Sequence, residues 1–244
     1  MKQCRNTCIL RGLSIAQGIV MKLRDLLFTA SAVCLFSGLT HATPIIFDAG
    51  TSYTTSEVID SSSGANLNGV AVTACFVSNE CQTVLFDGSL GNAAFGAAIG
   101  DGWQLSLQGD SYINPFSFDT SVAVTQLHLN GAPGNIVFDT KDMFAGSTGT
   151  PGSQSGAFFE VDLFSGSTDF EPLSVVYSNQ VWFGQTFYGD LYTSMTINFD
   201  PNGVVGSMMF YTDTDIASTV AVPASATLLL LLTGLLGLQW RRRH

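Results

Sequence analysis

The long middle segment of this sequence has almost no basic residues. Of the nine lysine and arginine residues only Lys141 lies between Thr43 and Ala221, whereas 18 of the 19 acidic residues lie there. The formal charge of the segment is therefore −17, which repels nucleic-acid phosphates and anionic lipid headgroups. We exclude nucleic acid as a partner. The charge indicates a solvated acidic surface or a surface that attracts divalent cations.

Histidine is equally scarce in this segment, and its scarcity limits the enzyme classes that remain. A catalytic triad would have to use His128, which lies in an alternating stretch typical of a strand, and no Gly-x-Ser-x-Gly motif surrounds any serine. A two-carboxylate glycosidase stays open, because Glu160 and Asp162 alternate onto one strand face about 7 Å apart. We predict that the chain is not an enzyme, and keep a secreted hydrolase as an alternative.

Long hydrophobic runs are confined to the two ends of the chain. Near the N-terminus, Met21 to Arg24 form a basic start, Leu26 to Leu39 form an apolar run, and the small residues Thr40 and Ala42 occupy positions −3 and −1. This order is typical of a Sec signal peptide. We predict a signal peptide over 21–42 with cleavage after Ala42. Residues 1–20 add nothing to the pattern, and we interpret them as an extension preceding a translation start at Met21.

The C-terminal 23 residues form the most specific feature of the sequence. Ala224 to Trp240 contain no charged residue and eight leucines, and a helix of that length reaches about 26 Å, near the minimum for spanning a bilayer. Arg241, Arg242 and Arg243 follow, and such a cluster holds its end of a helix on the cytoplasmic side. The pattern predicts a transmembrane helix over 222–244, serving either as a plain anchor or as a processing signal.

The order of these parts resembles the PEP-CTERM sorting signals of Gram-negative bacteria, which are recognised by exosortase, a membrane protease. The matching parts are the proline-containing tetrapeptide Val222-Pro223-Ala224-Ser225, the Leu/Gly helix and the terminal arginines. The usual core of the family is Val-Pro-Glu-Pro, so the glutamate and second proline are replaced here. The resemblance implies an exosortase-type partner at the inner membrane and an association with exopolysaccharide and biofilm.

Between its ends the sequence predicts an all-β fold. Short runs rich in Val, Thr, Phe and Tyr alternate with Gly and Ser, and no long stripe of 3.6-residue period occurs. We predict one β-sandwich or jelly-roll-like ectodomain over 43–221, with a tether to the membrane from about Asp213. Besides a hairpin over 67–86, strands are expected at 44–48, 93–99, 103–108, 121–129, 136–138, 157–164, 175–177, 181–183, 191–199 and 204–212. The residues predicted to face inward are Trp103, Leu105 and Leu107, then Phe159, Val161 and Leu163, then Leu191, Met195, Ile197 and Phe199. The apolar face changes within 121–129, which indicates burial on both sides or a β-bulge, and a turn is expected over 200–203.

The hairpin carries the only two cysteines of the segment. Cys75 and Cys81 stand symmetrically about Ser78 at its tip, so they face each other across the ladder. Because an exported domain enters an oxidising compartment, we predict a disulfide between them rather than a metal site.

Two kinds of ligand site remain possible in the ectodomain. Calcium prefers carboxylate and carbonyl oxygens, and Asp213 with Asp215, or Asp139 with Asp142, offer two carboxylates each. Aromatic side chains beside acids also suit sugars, and the candidates are Trp182, Tyr188 and Tyr192. We expect no other cofactor. The leading hypothesis is thus an exported, non-enzymatic protein of the cell surface or extracellular matrix, and the alternative is a carbohydrate- or calcium-binding surface module.

Overall fold

The computed structural model describes residues 43–60, 62–90, 93–141, 149–153, 155–164 and 166–218. This part of the chain is all-β and contains no α-helix, which confirms the predicted fold class. The signal helix predicted over 21–42 and the transmembrane helix predicted over 222–244 lie outside the described residues.

The described strands join in a single hydrogen-bonded network. Two short 3-10 turns, Gly64–Leu67 and Ala132–Gly134, interrupt them. In chain order the strands are β1 (Ile45–Asp48), β2 (Tyr53–Thr55), β3 (Val58–Ile59), β4 (Ala71–Phe76), β5 (Cys81–Leu85), β6 (Phe95–Gly100), β7 (Trp103–Gln108), β8 (Phe116–Asn130), β9 (Ile136–Asp139), β10 (Glu160–Val161), β11 (Ser174–Phe183), β12 (Leu191–Asn198), β13 (Val204–Tyr211) and β14 (Asp213–Ala217).

The sheet is organised around the 15-residue strand β8. Its first part, Phe116 to Thr120, lies between β7 and β13, whereas its last part, Gln126 to Asn130, lies between β4 and β12. All four neighbours run antiparallel to β8. The strand therefore belongs to two portions of the sheet, an arrangement consistent with a β-sandwich.

The buried face of β8 changes between these two portions. Phe118 and Val124 are buried at even positions, whereas Leu127 and Leu129 are buried at odd positions. Register shifts lie opposite this point in both neighbouring strands, in β13 after Val204 and in β4 after Cys75. The change of face predicted for this strand is thus produced by β-bulges, which bend a strand and redirect its side chains.

Strands β11 and β12 also change partners along their length. The first part of β11 lies between β1 and β12, and its last residues pair with β2. Strand β12 pairs with β8 through Ser194 to Asn198 and with β9 through Leu191 and Tyr192. Strand β9 then pairs with β14, and β14 with β3. This sequence of pairings places β9, β14 and β3 side by side.

The hydrophobic core agrees with the alternation predicted for two strands. In β7 the predicted inward residues Trp103, Leu105 and Leu107 are all buried. In and just after β12 the predicted inward residues are buried as well, namely Leu191, Met195, Ile197 and Phe199. The turn predicted over 200–203 is also present: the Gly203 N–H donates to the Asp200 carbonyl oxygen over 2.7 Å, and Gly203 adopts φ +81°, which glycine tolerates without strain.

Two predicted boundaries are wrong. The segment predicted as a tether from about Asp213 forms strand β14, whose residues are mostly buried. Its backbone pairs with β9. The strand was not predicted because Asp213 and Asp215 occupy positions where an apolar residue would indicate a buried strand face. The strand predicted over 157–164 is limited to β10, because the Asp162 side chain accepts a hydrogen bond from the Phe164 N–H and turns the chain. Leu163, predicted to face inward, is 58% exposed.

The predicted hairpin is formed by β4 and β5, and its disulfide is present. Cys75 and Cys81 are direct register partners, and their Cα atoms lie 4.1 Å apart. Between the strands, Asn79 adopts φ 62° and its N–H donates to the Phe76 carbonyl oxygen over 2.9 Å. The disulfide therefore joins β4 to β5 at the tip of the hairpin, and β4 also pairs with β8.

Replacing both cysteines by serine should destabilise the chain. The bridge closes a short loop in the unfolded state, so its loss is expected to lower the free energy of unfolding by about 2 kcal/mol. Urea denaturation of the wild type and of the Cys75→Ser/Cys81→Ser variant measures the difference. Reduced wild type serves as the control and should match the variant. Equal stability of the variant and the oxidised wild type would contradict the prediction.

Candidate functional site

A cluster of aspartates lies where β9, β14 and β3 adjoin. Asp139 ends β9, Asp213 begins β14, and the two are register partners. Asp215 lies two positions further along β14, so strand alternation places it on the same face as Asp213. These three residues are fully buried. Asp60 follows β3 and is exposed, and one carboxylate oxygen from each of Asp60, Asp213 and Asp215 lies within 4.8 Å of the other two.

The two carboxylate oxygens of Asp213 have different surroundings. Oδ1 accepts hydrogen bonds from the Ser111 hydroxyl at 3.1 Å and from the Thr214 N–H at 2.8 Å. Oδ2 is buried and has no hydrogen-bond partner among the described residues. A buried acceptor left without a partner costs about 1–3 kcal/mol, and more when it is charged. The Oδ2 atom thus lacks the partner that a buried carboxylate oxygen requires.

Ser153 connects the other two buried carboxylates. Its hydroxyl lies 2.5 Å from Asp139 Oδ2 and also contacts Asp215 Oδ2. A serine hydroxyl has one hydrogen and can donate to only one of the two acceptors. Either Asp139 or Asp215 must therefore carry a proton, or a positive charge must lie close enough to stabilise the carboxylate that receives no hydrogen from Ser153.

The loop that covers these carboxylates is fixed at its start by a fourth buried aspartate. Asp190 accepts hydrogen bonds from the Thr150 N–H and from the Thr150 hydroxyl, both at 2.7 Å. Two positions after Thr150, the Gly152 carbonyl oxygen accepts the Asp60 N–H at 2.9 Å. This loop therefore positions Ser153 and Asp60 together beside β14.

The environment of the cluster changes the acidity of its carboxyl groups. Burial raises the pKa of Asp213 to about 9, and the adjacent Asp215 carboxylate contributes to the rise. Burial also raises the pKa of Asp139 to about 6, although hydrogen bonds from Ser153 and from the Lys141 N–H lower it. In the absence of a bound cation, Asp213 is accordingly protonated at neutral pH.

Basic side chains are scarce beside these buried acids in the described part of the chain. Lys141 is the one lysine or arginine within the described ranges, and its Nζ donates to the Tyr188 carbonyl oxygen at 3.2 Å. Four fully buried aspartates lie in or beside the cluster, and a single ammonium group cannot balance them all when they ionise. The donors gathered here are oxygen atoms, which are the ligands that hard divalent cations such as Ca²⁺ prefer.

The structure brings together one pair of predicted metal ligands. Asp213 and Asp215 share a face of β14, whereas the other pair is only half described, because Asp142 lies outside the described residues. Asp60 and Ser153 were not among the predicted ligands. Both lie far from Asp213 in the chain, and no local spacing connects them to it.

The candidate hydrolytic residues are not assembled. His128 lies on β8, where its register partners are Thr73 and Thr196, and burial lowers its pKa. Glu160 is exposed on the two-residue strand β10, and Asp162 belongs to the turn that ends it. No nucleophile, base and acid converge at these positions in the described part of the chain.

The candidate sugar-binding aromatic residues differ in accessibility. Tyr192 is 4% exposed and packs against Phe47 and Tyr177 in the core, so it is unsuited to contact a sugar. Trp182 and Tyr188 are half-buried. Trp182 packs on Phe187 with ring centroids 5.4 Å apart, and its Nε1 is buried without a hydrogen-bond partner among the described residues.

The residues predicted to direct export lie outside the described residues. These are the cleavage residue Ala42 and the sorting residues Val222, Pro223, Ala224, Ser225, Arg241, Arg242 and Arg243. Within the described ranges, no helix has the length and apolar character that crossing a bilayer requires.

No protein-family model matches the chain, and no curated protein or solved structure matches it either. Its function is therefore inferred from its own residues and geometry.

Proposed function

We propose that the chain is an exported, non-enzymatic protein of the cell surface or extracellular matrix. A Sec signal over 21–42 directs it across the inner membrane, and a PEP-CTERM-type signal over 222–244 delivers it to an exosortase-type protease. The observation that carries the proposal is the C-terminal order of proline-containing tetrapeptide, Leu/Gly segment and arginine cluster. The protein is then anchored transiently in the membrane before it reaches the surface, where it associates with exopolysaccharide in a biofilm.

The described domain supports this proposal in two ways. Its hairpin contains a disulfide, a bond that persists in oxidising compartments outside the cytoplasm. Its sequence between Thr43 and Ala221 holds a single basic residue, and a strongly acidic surface favours solubility in an extracellular matrix. We further propose that the bent sheet encloses its core as a β-sandwich of the jelly-roll type, with β8 shared between the two layers.

The mature protein should differ in mass between cells that contain the sorting protease and cells that lack it. With the protease, the residues after the Val222–Ser225 tetrapeptide should be removed or exchanged, because that tetrapeptide adjoins the recognised helix. Without it, the chain should extend to His244. Intact-mass spectrometry of the purified protein measures both.

The N-terminus provides the internal control for this experiment. It should be Thr43 in both strains, because signal peptidase acts independently of the sorting enzyme. Replacing Arg241, Arg242 and Arg243 by glutamine should leave the chain extending to His244 even in the strain that contains the protease. An identical C-terminus in both strains would contradict sorting and would leave a plain membrane anchor.

The second candidate function is a ligand-binding surface module for calcium or carbohydrate. The aspartates beside β14 favour calcium, because they form a set of oxygen donors in which the buried Oδ2 of Asp213 has no hydrogen-bond partner among the described residues. The burial of Tyr192 removes one of the three aromatic candidates for sugar binding. A role as a secreted hydrolase lacks comparable support, since His128 is flanked by threonines in its sheet.

A further inference from the structure

We propose that Asp60, Asp213 and Asp215 form a Ca²⁺ site between β3 and β14. The three residues come from two adjoining parts of the sheet, since Ile59 of β3 pairs with Ile216 of β14. This pairing brings the residue after β3 next to the start of β14. The site is thus built by the fold and does not depend on a contiguous calcium-binding loop.

The spacing of the three carboxylates fits a calcium ion. Calcium binds its oxygen ligands at about 2.3–2.6 Å, so two ligands on opposite sides of one ion are at most about 5 Å apart. One oxygen from each of Asp60, Asp213 and Asp215 lies within 4.8 Å of the others. Separations in this range allow the three side chains to converge on a single ion.

The unpartnered oxygen of Asp213 indicates a ligand independently of this spacing. Asp213 is fully buried, its Oδ1 already accepts two hydrogen bonds, and its Oδ2 accepts none from the described residues. A cation at Oδ2 supplies the missing interaction. Asp213 is then held from both sides, by Ser111 and the Thr214 N–H at one oxygen and by the ion at the other.

Asp139 and Ser153 hold Asp215 in position through hydrogen bonds. The Ser153 hydroxyl contacts both Asp139 and Asp215, and with a cation at Asp215 it is free to donate its one hydrogen to Asp139. These two residues act through Asp215 and need not touch the ion. The exposed Asp60 leaves one side of the site open to solvent, where water completes the coordination that calcium requires.

The chemistry of the donors favours calcium over other metals. Zinc and copper sites use histidine or cysteine, and the cluster contains neither. Magnesium requires a near-ideal octahedron and retains its water, whereas calcium accepts irregular sets of carboxylates. Extracellular calcium modules bind with dissociation constants of about 10⁻⁴–10⁻³ M, and we expect the same range here.

The test uses the full-length chain in detergent, stripped of metal with EDTA and dialysed. Titration with CaCl₂ by isothermal calorimetry should show one site, and the melting temperature should rise as Ca²⁺ is increased to about 10 mM. Asp60→Asn removes an exposed ligand, keeps the fold and should weaken binding at least about tenfold. Asp213→Asn and Asp215→Asn should abolish it.

The matched control is Glu171→Gln, which neutralises an exposed acid outside the cluster and should bind Ca²⁺ as the wild type does. Absence of binding in the wild type, or equal binding by Asp60→Asn and Glu171→Gln, would overturn the site. Binding of Mg²⁺ as tight as that of Ca²⁺ would overturn the choice of metal. The site does not depend on how the protein is exported, so this titration and the mass measurement can fail separately.

Discussion

Raising the pH from about 5 to about 8 in the presence of a chelator should make the folded domain less stable. Asp213 has its pKa raised to about 9, and Asp139 has its pKa raised to about 6, mainly by burial. In the unfolded chain both carboxyl groups have a pKa of about 3.9. Over this range the folded state binds more protons than the unfolded state, so the free energy of unfolding falls as the pH rises.

The size of the effect follows from the number of protons involved. Each proton held only by the folded state contributes a slope of about 1.4 kcal/mol per pH unit. The Asp139 proton contributes to this slope from about pH 4 to about pH 6, and the Asp213 proton contributes to it from about pH 4 to about pH 9. The negative charges of Asp215 and Asp139 oppose the ionisation of Asp213. The negative charges of Asp190 and Asp60 likewise oppose the ionisation of Asp139.

Urea denaturation at several pH values measures this slope. Asp213→Asn removes the titrating group while keeping its shape, and should make stability nearly independent of pH above about 6. Glu171→Gln is the control and should keep the wild-type slope. Wild-type stability that stays constant or increases between these pH values would show that Asp213 is ionised in the folded chain.

Phe118→Ala should destabilise the domain more than loss of the disulfide does. Phe118 is fully buried on β8, between Leu105 of β7 and Met208 of β13. Its ring stacks on Phe199 with centroids 5.9 Å apart and contacts the edge of Phe170 at 6.3 Å. Truncation leaves a cavity that paired strands on both sides cannot close, and is expected to cost about 3–5 kcal/mol.

The same substitution at an exposed phenylalanine provides the control. Phe164 is 99% exposed, so Phe164→Ala should change the free energy of unfolding by less than about 0.5 kcal/mol. Chemical denaturation of both variants gives the comparison. A loss below about 1 kcal/mol for Phe118→Ala would mean that the two portions of the sheet joined by β8 do not share one packed core.

Local patterns predicted the strands whose side chains alternate cleanly. Strand β7 and the segment 191–199 each carry an alternating apolar set, so their strand type and the burial of that set follow from sequence, whereas the burial of Tyr192 on the other face of β12 does not. Strand β14 does not follow from sequence, because its first three residues are Asp, Thr and Asp. Its strand conformation comes from backbone pairing with β9, and no local pattern reveals such a partner.

In the candidate site as well, only the residues that are close in sequence could be predicted to lie together. The spacing of Asp213 and Asp215 indicated that they share a face, and the structure places them on one. The contributions of Asp60, Asp139 and Ser153 depend on three separate pairings and loop contacts between distant parts of the chain. Burial of these acids is a property of the assembled sheet, and a sequence containing 19 acidic residues does not indicate which of them are enclosed.

The parallel pairing of β1 with β11 has a consequence for the order of folding. Ile45 is the register partner of Val175, so β1 can pair with β11 only after more than a hundred further residues have been added to the chain. Contacts between such distant segments slow folding. In the export that we propose, the local pairs of β4 with β5 and of β6 with β7 can form early, whereas β1 has no parallel partner until β11 has also crossed the membrane.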